Sequence, residues 1–429
     1  MNRAGNEILR KIEYLFHALV LLLLMGAFLP FIRNKLGNQP GVLEGDPLQR
    51  TILTLVYLLA LLVLCFQMKK VLIVIAATPA VWLLLLWATL SVLWSDFPDI
   101  AFRRVLAIWL TSLYGLLLYL RFEFRQLLRL LGTCLLIVMV SSLIWLVVFP
   151  EWAVMGPPLL GKWRGVFIHK THLGRFSALA FLVTGYLIVQ NKRTRKKIFW
   201  GLGMMISLIT LVGSQSLSAL LIVVVMFLSA LFIKIICKWK KLMALWLILF
   251  FIISGNVASL FVANHERILA DTFNKDATLS GRVPLWQMLI DKACGKPLLG
   301  YGYGSFWMGT EGPAADVWKK LNWEVPHAHN GYLDLWLQLG LPGVCLGVCL
   351  LLLIFTLSVK HLFQTGLAGQ FWTFLMIYFI GYNWIESVML VANSLFLVLL
   401  VYGYVFLKDR CLPLEIEEAE NVQPILPGE

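Results

Sequence analysis

Long apolar runs, separated by short polar and charged segments, dominate the chain from near its first residue to about residue 406. A bilayer-spanning helix needs about 20 mostly apolar residues, and twelve segments reach or approach that length. They lie near 14–32, 51–67, 71–94, 105–120, 130–149, 174–190, 198–213, 218–233, 242–263, 333–356, 371–382 and 388–406. The pattern predicts an all-α polytopic membrane protein with about twelve transmembrane helices, of which the segment at 371–382 is short for a full crossing.

One long polar stretch, at 264–332, interrupts this pattern. Loops longer than about 15 residues are usually functional or disordered, and its tryptophans and tyrosines argue against disorder. We therefore expect short helices on the outer membrane surface, covering a cavity. The predicted organisation is transmembrane helices 1–9 over 1–263, a large periplasmic loop over 264–332, transmembrane helices 10–12 over 333–406 and a cytoplasmic tail over 407–429.

Composition supports the membrane assignment and excludes three other classes of protein. The 429 residues are 60% hydrophobic and 14% charged, with a mean hydropathy of +0.83, whereas soluble domains are about 25% charged. A soluble enzyme, a disordered chain and a disulfide-stapled secreted domain are therefore excluded. Only Cys294 of the seven cysteines falls in the long loop, so we expect no disulfide there. Arg3, Arg10 and Lys11 precede an apolar run without a convincing cleavage site, which predicts a retained first helix.

The net charge of +13 reflects membrane orientation rather than nucleic-acid binding. No basic run is interleaved with the stacking aromatics that single-strand binders use, and cytoplasmic loops of membrane proteins collect Lys and Arg. With the N-terminus inside, twenty of the 36 basic residues fall in inner segments and nine in short outer ones. This asymmetry predicts that both termini are cytoplasmic.

A basic cluster marks the outer end of the sixth predicted span, in "KWRGVFIHKTHLGRF". Arginine binds phosphate bidentately and lysine adds a point charge, so the cluster suits an anionic ligand; the alternative is snorkelling of long basic side chains at the interface. Its members are Lys162, Arg164, His169, Lys170, His172 and Arg175.

Two further constellations lie in the long loop. In "LSGRVPLW", Ser280 and Gly281 resemble a helix start beside Arg282, which would favour an anion, although any surface helix could look the same. In "EVPHAHNGYLD", His327 and His329 precede a predicted helix that starts at about Tyr332. A neutral imidazole can accept a proton from a sugar hydroxyl. The H-x-H pair could instead be half of a metal site, but other ligands at supporting spacing are absent.

On their own, these residues favour one class of chemistry. They combine a basic pocket for a phosphorylated ligand, one candidate general base and a membrane that delivers lipid-bound substrate. Together they suit group transfer from a lipid-diphosphate donor on the outer leaflet.

The same segments resemble the O-antigen ligase and polymerase superfamily. The similarity rests on "HAHNGYLDLWLQLGLPG", preceded by "GYGYGSF" and "SGRVPLW", while "WSDFP", "RGVFIHKTHLG" and "NWIESVML" are closer to its exopolysaccharide-polymerase branch. The resemblance covers most of the chain, from about the third span to the last.

The resemblance implies an inner-membrane, inverting glycosyltransferase that uses an undecaprenyl-diphosphate-linked oligosaccharide and needs no metal or other cofactor. It implies that His329 is the base that activates the acceptor, a glycan or lipid A-core. It also implies that Arg164 and Arg282 hold the diphosphate, with Lys170 beside them. The predicted substrate-binding set also includes His169, Arg175, His327 and Asn330. Expected partners are the lipid bilayer and other polysaccharide-assembly proteins, not nucleic acid.

Two positions depart from the family pattern. Leu217 stands where a basic residue often follows the seventh span, so Arg175 or Lys162 would have to replace that cation. Thr171 stands where Asn is common, so a hydroxyl would replace an amide. Glu386, in "NWIES", could orient an arginine or a sugar hydroxyl, or could be solvated.

Three other functions compete with a polymerase of lipid-linked repeats. A ligase that transfers glycan to lipid A-core would use the same donor chemistry, so the sequence barely separates the two. A transporter of lipid-linked oligosaccharide would place its charged residues at the bilayer midplane of broken helices, and the positions of the motifs disfavour it. A structural scaffold would not require a His–Asn pair beside a basic pocket.

Overall fold

The fold is all-helical in a computed structural model that describes residues 3–29, 47–157, 159–238 and 282–409. No β-strand forms within these ranges, where β-pairing is limited to an isolated bridge between Val154 and Trp163. The helices are α1 (Arg3–Met25), α2 (Pro47–Cys65), α3 (Met68–Ala77), α4 (Pro79–Leu90), α5 (Pro98–Arg121), α6 (Phe124–Val148), α7 (Pro150–Ala153), α8 (Lys170–Gln190), α9 (Thr194–Gly213), α10 (Leu217–Lys238), α11 (Arg282–Gly295), α12 (Ala315–Leu321), α13 (Gly331–Thr365), α14 (Leu367–Asn383) and α15 (Leu395–Asp409).

Several of these helices are long and apolar enough to cross a bilayer, so the protein is membrane-integral. Six qualify within the described ranges, namely α2, α5, α6, α8, α9 and α13, and the bent pair α3–α4 would make a seventh. The predicted count of twelve is therefore not confirmed. The predicted span at 242–263 lies outside the described residues, and α14 and α15 have only 17 and 15 residues.

The predicted span at 71–94 is not one straight helix, because the chain bends by 92° between α3 and α4. Proline at the first position of α4 removes a backbone donor and disfavours helical geometry in the residue before it. Thr78 accordingly leaves the helix, with φ −123° and ψ 55°. Its hydroxyl donates to the Val74 carbonyl at 2.7 Å and accepts from Trp82 Nε1 at 3.1 Å, which satisfies polar groups at the break.

The last helix begins later than predicted, at Leu395 instead of 388. Residues 384–394 form an irregular segment, because the Asn383 side-chain oxygen accepts the backbone N–H groups of Val388 and Met389 at 3.3 and 3.1 Å. α15 itself is apolar on every side and buried from Leu395 to Leu407. It packs mainly against α5 and α13 and forms the centre of the core.

The described part of the long polar segment, 282–332, folds into helices with an apolar core of its own. Leu285 and Leu289 of α11 pack with Phe306, Val317 and Trp318. This unit rests on the first turns of α13, and indole N–H groups of Trp87 and Trp94 donate to carbonyls of Leu339 and Leu299 at 2.9 Å. These contacts hold the segment over one end of the helix bundle.

Candidate active site

The centre of the site is His329, which lies in the short connection between α12 and α13. Asn330 caps α13, since its side-chain oxygen accepts the N–H groups of Tyr332 and Leu333 at 3.0 and 3.1 Å. His329 has φ +50°, a left-handed backbone that is uncommon for residues other than glycine. Its ring stacks on Trp323 at 5.7 Å between centroids. The cap and the stack together fix the imidazole at the start of the helix.

Glu386, from the irregular segment after α14, pairs directly with this histidine. Its Oε2 lies 3.0 Å from His329 Nδ1, and its side chain is only 9% exposed. Burial on its own raises the pKa of Glu386, but the hydrogen bond from His329 and the charges of His329, His327 and Arg282 outweigh burial. The pKa of Glu386 therefore lies well below the usual range, and the group is a carboxylate.

This pairing determines which nitrogen of His329 is free. An ionised carboxylate only accepts hydrogen bonds, so the Nδ1 that faces it must carry the hydrogen. In the neutral ring, Nε2 then holds the lone pair. The arrangement has the logic of a His–carboxylate pair in acyl-transfer enzymes, in which the acid orients the base and stabilises the imidazolium. The geometry can therefore supply a general base at Nε2.

Arg282, at the start of α11, forms an ion pair with the other oxygen of the Glu386 carboxylate. Its Nη2 lies 2.9 Å from Glu386 Oε1, and its Nη1 donates to the Ile385 carbonyl at 2.9 Å. The predicted helix start at Ser280 and Gly281 lies outside the described residues. This contact agrees with the sequence-based hypothesis that Glu386 orients an arginine.

His327 completes a group of three possible metal ligands. Its Nδ1 accepts the backbone N–H of His329 at 3.2 Å, and its Nε2 lies 3.7 Å from Glu386 Oε2. Ligand atoms of His327, His329 and Glu386 lie within 4.8 Å of one another. The third ligand, which the sequence spacing did not reveal, is thus present in space. However, the guanidinium of Arg282 already neutralises this carboxylate. The same guanidinium would repel a divalent cation bound beside it.

Asp334 fastens the two segments that carry the pair. This buried residue of α13 accepts from Trp307 Nε1 at 2.9 Å and from the Ala328 N–H at 3.1 Å. Ser387 donates to its other oxygen. Gly331 permits the approach on the α14 side, because a Cβ there would lie 1.9 Å from the Asn383 side-chain oxygen. The distance between His329 and Glu386 is thus set by buried bonds on both sides.

The basic cluster at the start of α8 lies against the same end of α14. The hydroxyls of Tyr378 and Tyr382 donate to the carbonyls of Arg175 and Thr171 at 2.9 and 3.3 Å. α14 then runs directly into the segment that carries Glu386. The structure therefore brings the start of α8 and the His329–Glu386 pair to one end of the bundle.

Arg175 is a cluster member with an unsatisfied buried donor. Its Nε is buried and has no hydrogen-bond partner among the described residues, and its Nη2 makes only a 3.4 Å contact with His172 Nδ1. The guanidinium carbon lies 5.1 to 5.9 Å from the ring centroids of Phe396, Phe176 and Tyr382. Buried donors need partners, so this group is suited to an anionic ligand.

Other predicted anion-binding residues are committed to the protein itself. Arg164 donates from Nε to the Trp152 carbonyl at 2.5 Å, and Lys170 donates to the Gln215 carbonyl at 3.1 Å. His169 caps α8, and its Nδ1 lies 2.9 Å from the Thr171 hydroxyl. Burial and the charge of Lys170 lower the pKa of His169. In this structure these groups build the cluster, and their roles in binding substrate stay predictions.

Comparison with known proteins gives an independent view of this chain. The model of the O-Antigen ligase family matches residues 202–348. Exopolysaccharide production protein ExoQ of Rhizobium meliloti (strain 1021) is 24% identical over 286 residues, which cover 65% of this chain and 64% of that protein. Both findings support similarity of this chain to the O-antigen ligase and polymerase superfamily. The resemblance seen in the sequence motifs is thereby confirmed.

The matched region contains only part of the candidate site. The region matched by the O-Antigen ligase model, 202–348, includes Arg282, His327, His329 and Asn330. It includes neither the start of α8 nor Glu386. Sequence reasoning placed Glu386 outside the predicted site, although an acidic residue between two apolar segments was a usable signal. Asp334 gave no such signal, because an acid in the first turn of a helix is common.

Proposed function

We propose that the protein transfers glycan from an undecaprenyl-diphosphate-linked donor to an acceptor sugar hydroxyl, and that it acts as a polymerase of lipid-linked repeats. The observation that carries this proposal is the hydrogen bond between His329 Nδ1 and Glu386. That bond leaves a basic nitrogen at the end of the bundle where the cationic start of α8 also lies. Similarity to the superfamily supports polysaccharide assembly as the setting.

In the proposed reaction, His329 Nε2 accepts the proton of the acceptor hydroxyl as its oxygen attacks the anomeric carbon. The bond from that carbon to the diphosphate oxygen breaks, and the diphosphate leaves with the electron pair. Attack from the face opposite the leaving group inverts the anomeric centre. Glu386 stabilises the imidazolium that forms, since opposite charges at hydrogen-bond distance favour each other strongly in a partly buried site.

The proposed diphosphate site is formed by Arg175 with support from Lys170 and Arg282. Fixed cations that meet developing negative charge lower the barrier to departure of a phosphate leaving group. We place this site on the periplasmic face of the bacterial inner membrane, with both termini in the cytoplasm, because basic residues concentrate in the segments assigned to the inside. A ligase that uses lipid A-core as acceptor is the second candidate, since the donor chemistry would be identical.

The first experiment uses purified full-length protein in nanodiscs with undecaprenyl-diphosphate-linked repeat units and no other acceptor. We expect a ladder of longer lipid-linked chains, resolved by size. Product that forms only after addition of lipid A-core would identify a ligase, and no product with either acceptor would refute the proposal.

A parallel reaction with excess EDTA tests whether transfer needs a divalent metal ion. We expect the ladder to persist, because Arg282 supplies the positive charge beside Glu386.

Arg175→Gln should weaken use of the donor more than use of the acceptor. Loss of a charge-assisted contact to phosphate should raise the donor KM about tenfold. The measurement is the dependence of the initial rate on donor concentration at saturating acceptor. Arg193→Gln, an identical change at an exposed position before α9, is the matched control and should leave the donor KM unchanged. An unaltered donor KM in Arg175→Gln would remove Arg175 from the diphosphate site.

A further inference from the structure

A large cavity lies beside the pair that carries the proposed chemistry. Its volume is about 630 Å³, and His327 and Ser387 form part of its wall. These two residues neighbour His329 and Glu386 in the segments that meet at the site. The opposite wall comes from α2 and α5. The volume falls within the range of about 300–1,000 Å³ that is typical of small-molecule sites.

Three arginines line this cavity and give it a positive charge. Arg50 is in the first turn of α2, and Arg103 and Arg104 are in the second turn of α5. The acidic group on the wall is Asp334, whose oxygens already accept hydrogen bonds from Trp307, Ala328 and Ser387. Because that carboxylate is buried and satisfied, it is not available to the arginines.

The arginines differ in how firmly they are held. Arg104 donates to the Gly304 carbonyl and lies flat against this glycine, since a Cβ at Gly304 would be 2.4 Å from Arg104 Cδ. The Gly304 N–H in turn donates to the Gln338 side-chain oxygen at 2.8 Å. Arg103 makes only a long 3.4 Å contact from Nε to the Asp99 carbonyl. Arg50 and Arg103 are exposed, and in the described chain neither has an acidic partner.

The rest of the lining suits a sugar ring. Tyr57, Tyr303 and Trp307 contribute aromatic surface, and Asn393 and Gln338 contribute amides. The Tyr303 hydroxyl is engaged by the Leu390 carbonyl at 2.6 Å, so its ring, not its hydroxyl, is what faces a ligand. Apolar and aromatic walls with a few fixed polar groups are the usual design of a small-molecule site.

The cavity is separate from the cationic start of α8. None of Arg164, Lys170, Arg175 or Arg282 lines it. Two basic regions therefore lie at this end of the bundle, and the His327–His329 segment lies between them. Group transfer brings two ligands together beside the base. With the donor diphosphate assigned to the start of α8, the cavity is left for the second ligand, and its arginines suit an anionic one.

We propose that this cavity binds the acceptor saccharide and selects one that carries a carboxylate, which Arg103 and Arg50 recognise while Arg104 orders the wall. The inference rests on the proposed function in calling the ligand an acceptor. The binding of an acidic sugar does not depend on turnover and can be tested alone. A cavity that held the lipid diphosphate instead would bind a diphosphate probe and ignore the sugar carboxylate.

The test measures binding to the full-length protein in nanodiscs. The probe is a radiolabelled disaccharide that ends in glucuronic acid, and its control is the same disaccharide with glucose at that end, which replaces the carboxylate with a hydroxymethyl group. We expect the acidic probe to bind about tenfold more tightly than the neutral one, as for a charge-assisted contact. The preference should be lost in Arg50→Gln/Arg103→Gln. It should persist in Arg125→Gln, where an exposed arginine at the start of α6 undergoes the same change.

Two further arms locate the probe. A diazirine derivative of the acidic disaccharide should label peptides of α5, and farnesyl diphosphate should not compete with it. Equal binding of the two disaccharides, labelling at 162–175 in place of α5, or competition by farnesyl diphosphate would each overturn the proposal. A preference for the acidic probe in a protein that forms no glycan ladder would support the cavity assignment while refuting the proposed function. A glycan ladder from a protein that shows no preference for the acidic probe would support the proposed function and refute the cavity assignment.

Discussion

His329→Ala should abolish glycan transfer while leaving the fold and donor binding intact. Removal of a general base typically costs about 10²–10⁴-fold in rate, and the expected loss is in kcat, because the acceptor hydroxyl is no longer deprotonated. His329 lies in a connection between helices and its side chain is 18% exposed, so its truncation removes little packing. The measurement is the single-turnover rate with preformed donor complex, together with thermal unfolding in detergent.

The left-handed backbone at His329 calls for a second variant. Alanine is strained at φ +50°, whereas asparagine adopts this region more readily and also lacks a base. Equal losses of rate in His329→Ala and His329→Asn would assign the defect to the missing imidazole. Near wild-type turnover in either variant would show that another group accepts the proton, and the proposed role of His329 would be withdrawn.

Glu386→Gln should reduce kcat by a comparable factor, although residue 386 does not touch the reacting atoms in the proposed reaction. A glutamine keeps the shape but can donate a hydrogen bond to His329 Nδ1. The ring hydrogen would then move to Nε2, the nitrogen that must accept the proton. The corresponding acid-to-amide substitution in a serine-protease triad, Asp to Asn, costs about 10⁴-fold. The donor KM should change much less than kcat. Glu311→Gln, an exposed acid in the same part of the fold, is the matched control.

Stability against pH tests the ionised state of Glu386, and kcat tests its positioning role. Because the pKa of Glu386 is lowered in the folded protein, its carboxylate stabilises the fold above its ordinary pKa of 4.5, and this contribution is lost as pH falls through the lower folded value. Glu386→Gln should lose about 3 kcal/mol of stability at neutral pH, since it leaves Arg282 without a charged partner. The variant should also show a weaker fall in stability below pH 4.5 than the wild type.

Two results would contradict the assignment of Glu386. One is a Glu386→Gln variant with lower stability and unchanged kcat, which would make the residue a structural ion-pair partner only. The other is a Glu386→Asp variant as inactive as Glu386→Gln at matched stability, because a retained charge should restore part of the His329 orientation. We expect Glu386→Asp to be intermediate.

Some helix boundaries were predictable from hydropathy and others were not. The predicted segment at 174–190 corresponds to α8 (Lys170–Gln190), and that at 198–213 to α9 (Thr194–Gly213). The 71–94 and 388–406 segments contained breaks that average hydropathy does not detect. Thr78 and Asn383 mark these breaks through hydrogen bonds to the backbone. A run of apolar residues shows that a segment prefers lipid to water. It does not show where the helix bends or ends within that segment.

The amino-acid sequence by itself determined the membrane class of this protein, its resemblance to a superfamily and the identity of its candidate base and cations. These properties follow from composition and local motifs, which need no knowledge of distant contacts. The tertiary structure decided that Glu386, 57 positions after His329, orients this histidine and also pairs with Arg282. It also decided that Arg50, Arg103 and Arg104 share a cavity. Such juxtapositions depend on how α2, α5, α13 and α14 pack, because only packing brings residues far apart in the chain within hydrogen-bond distance.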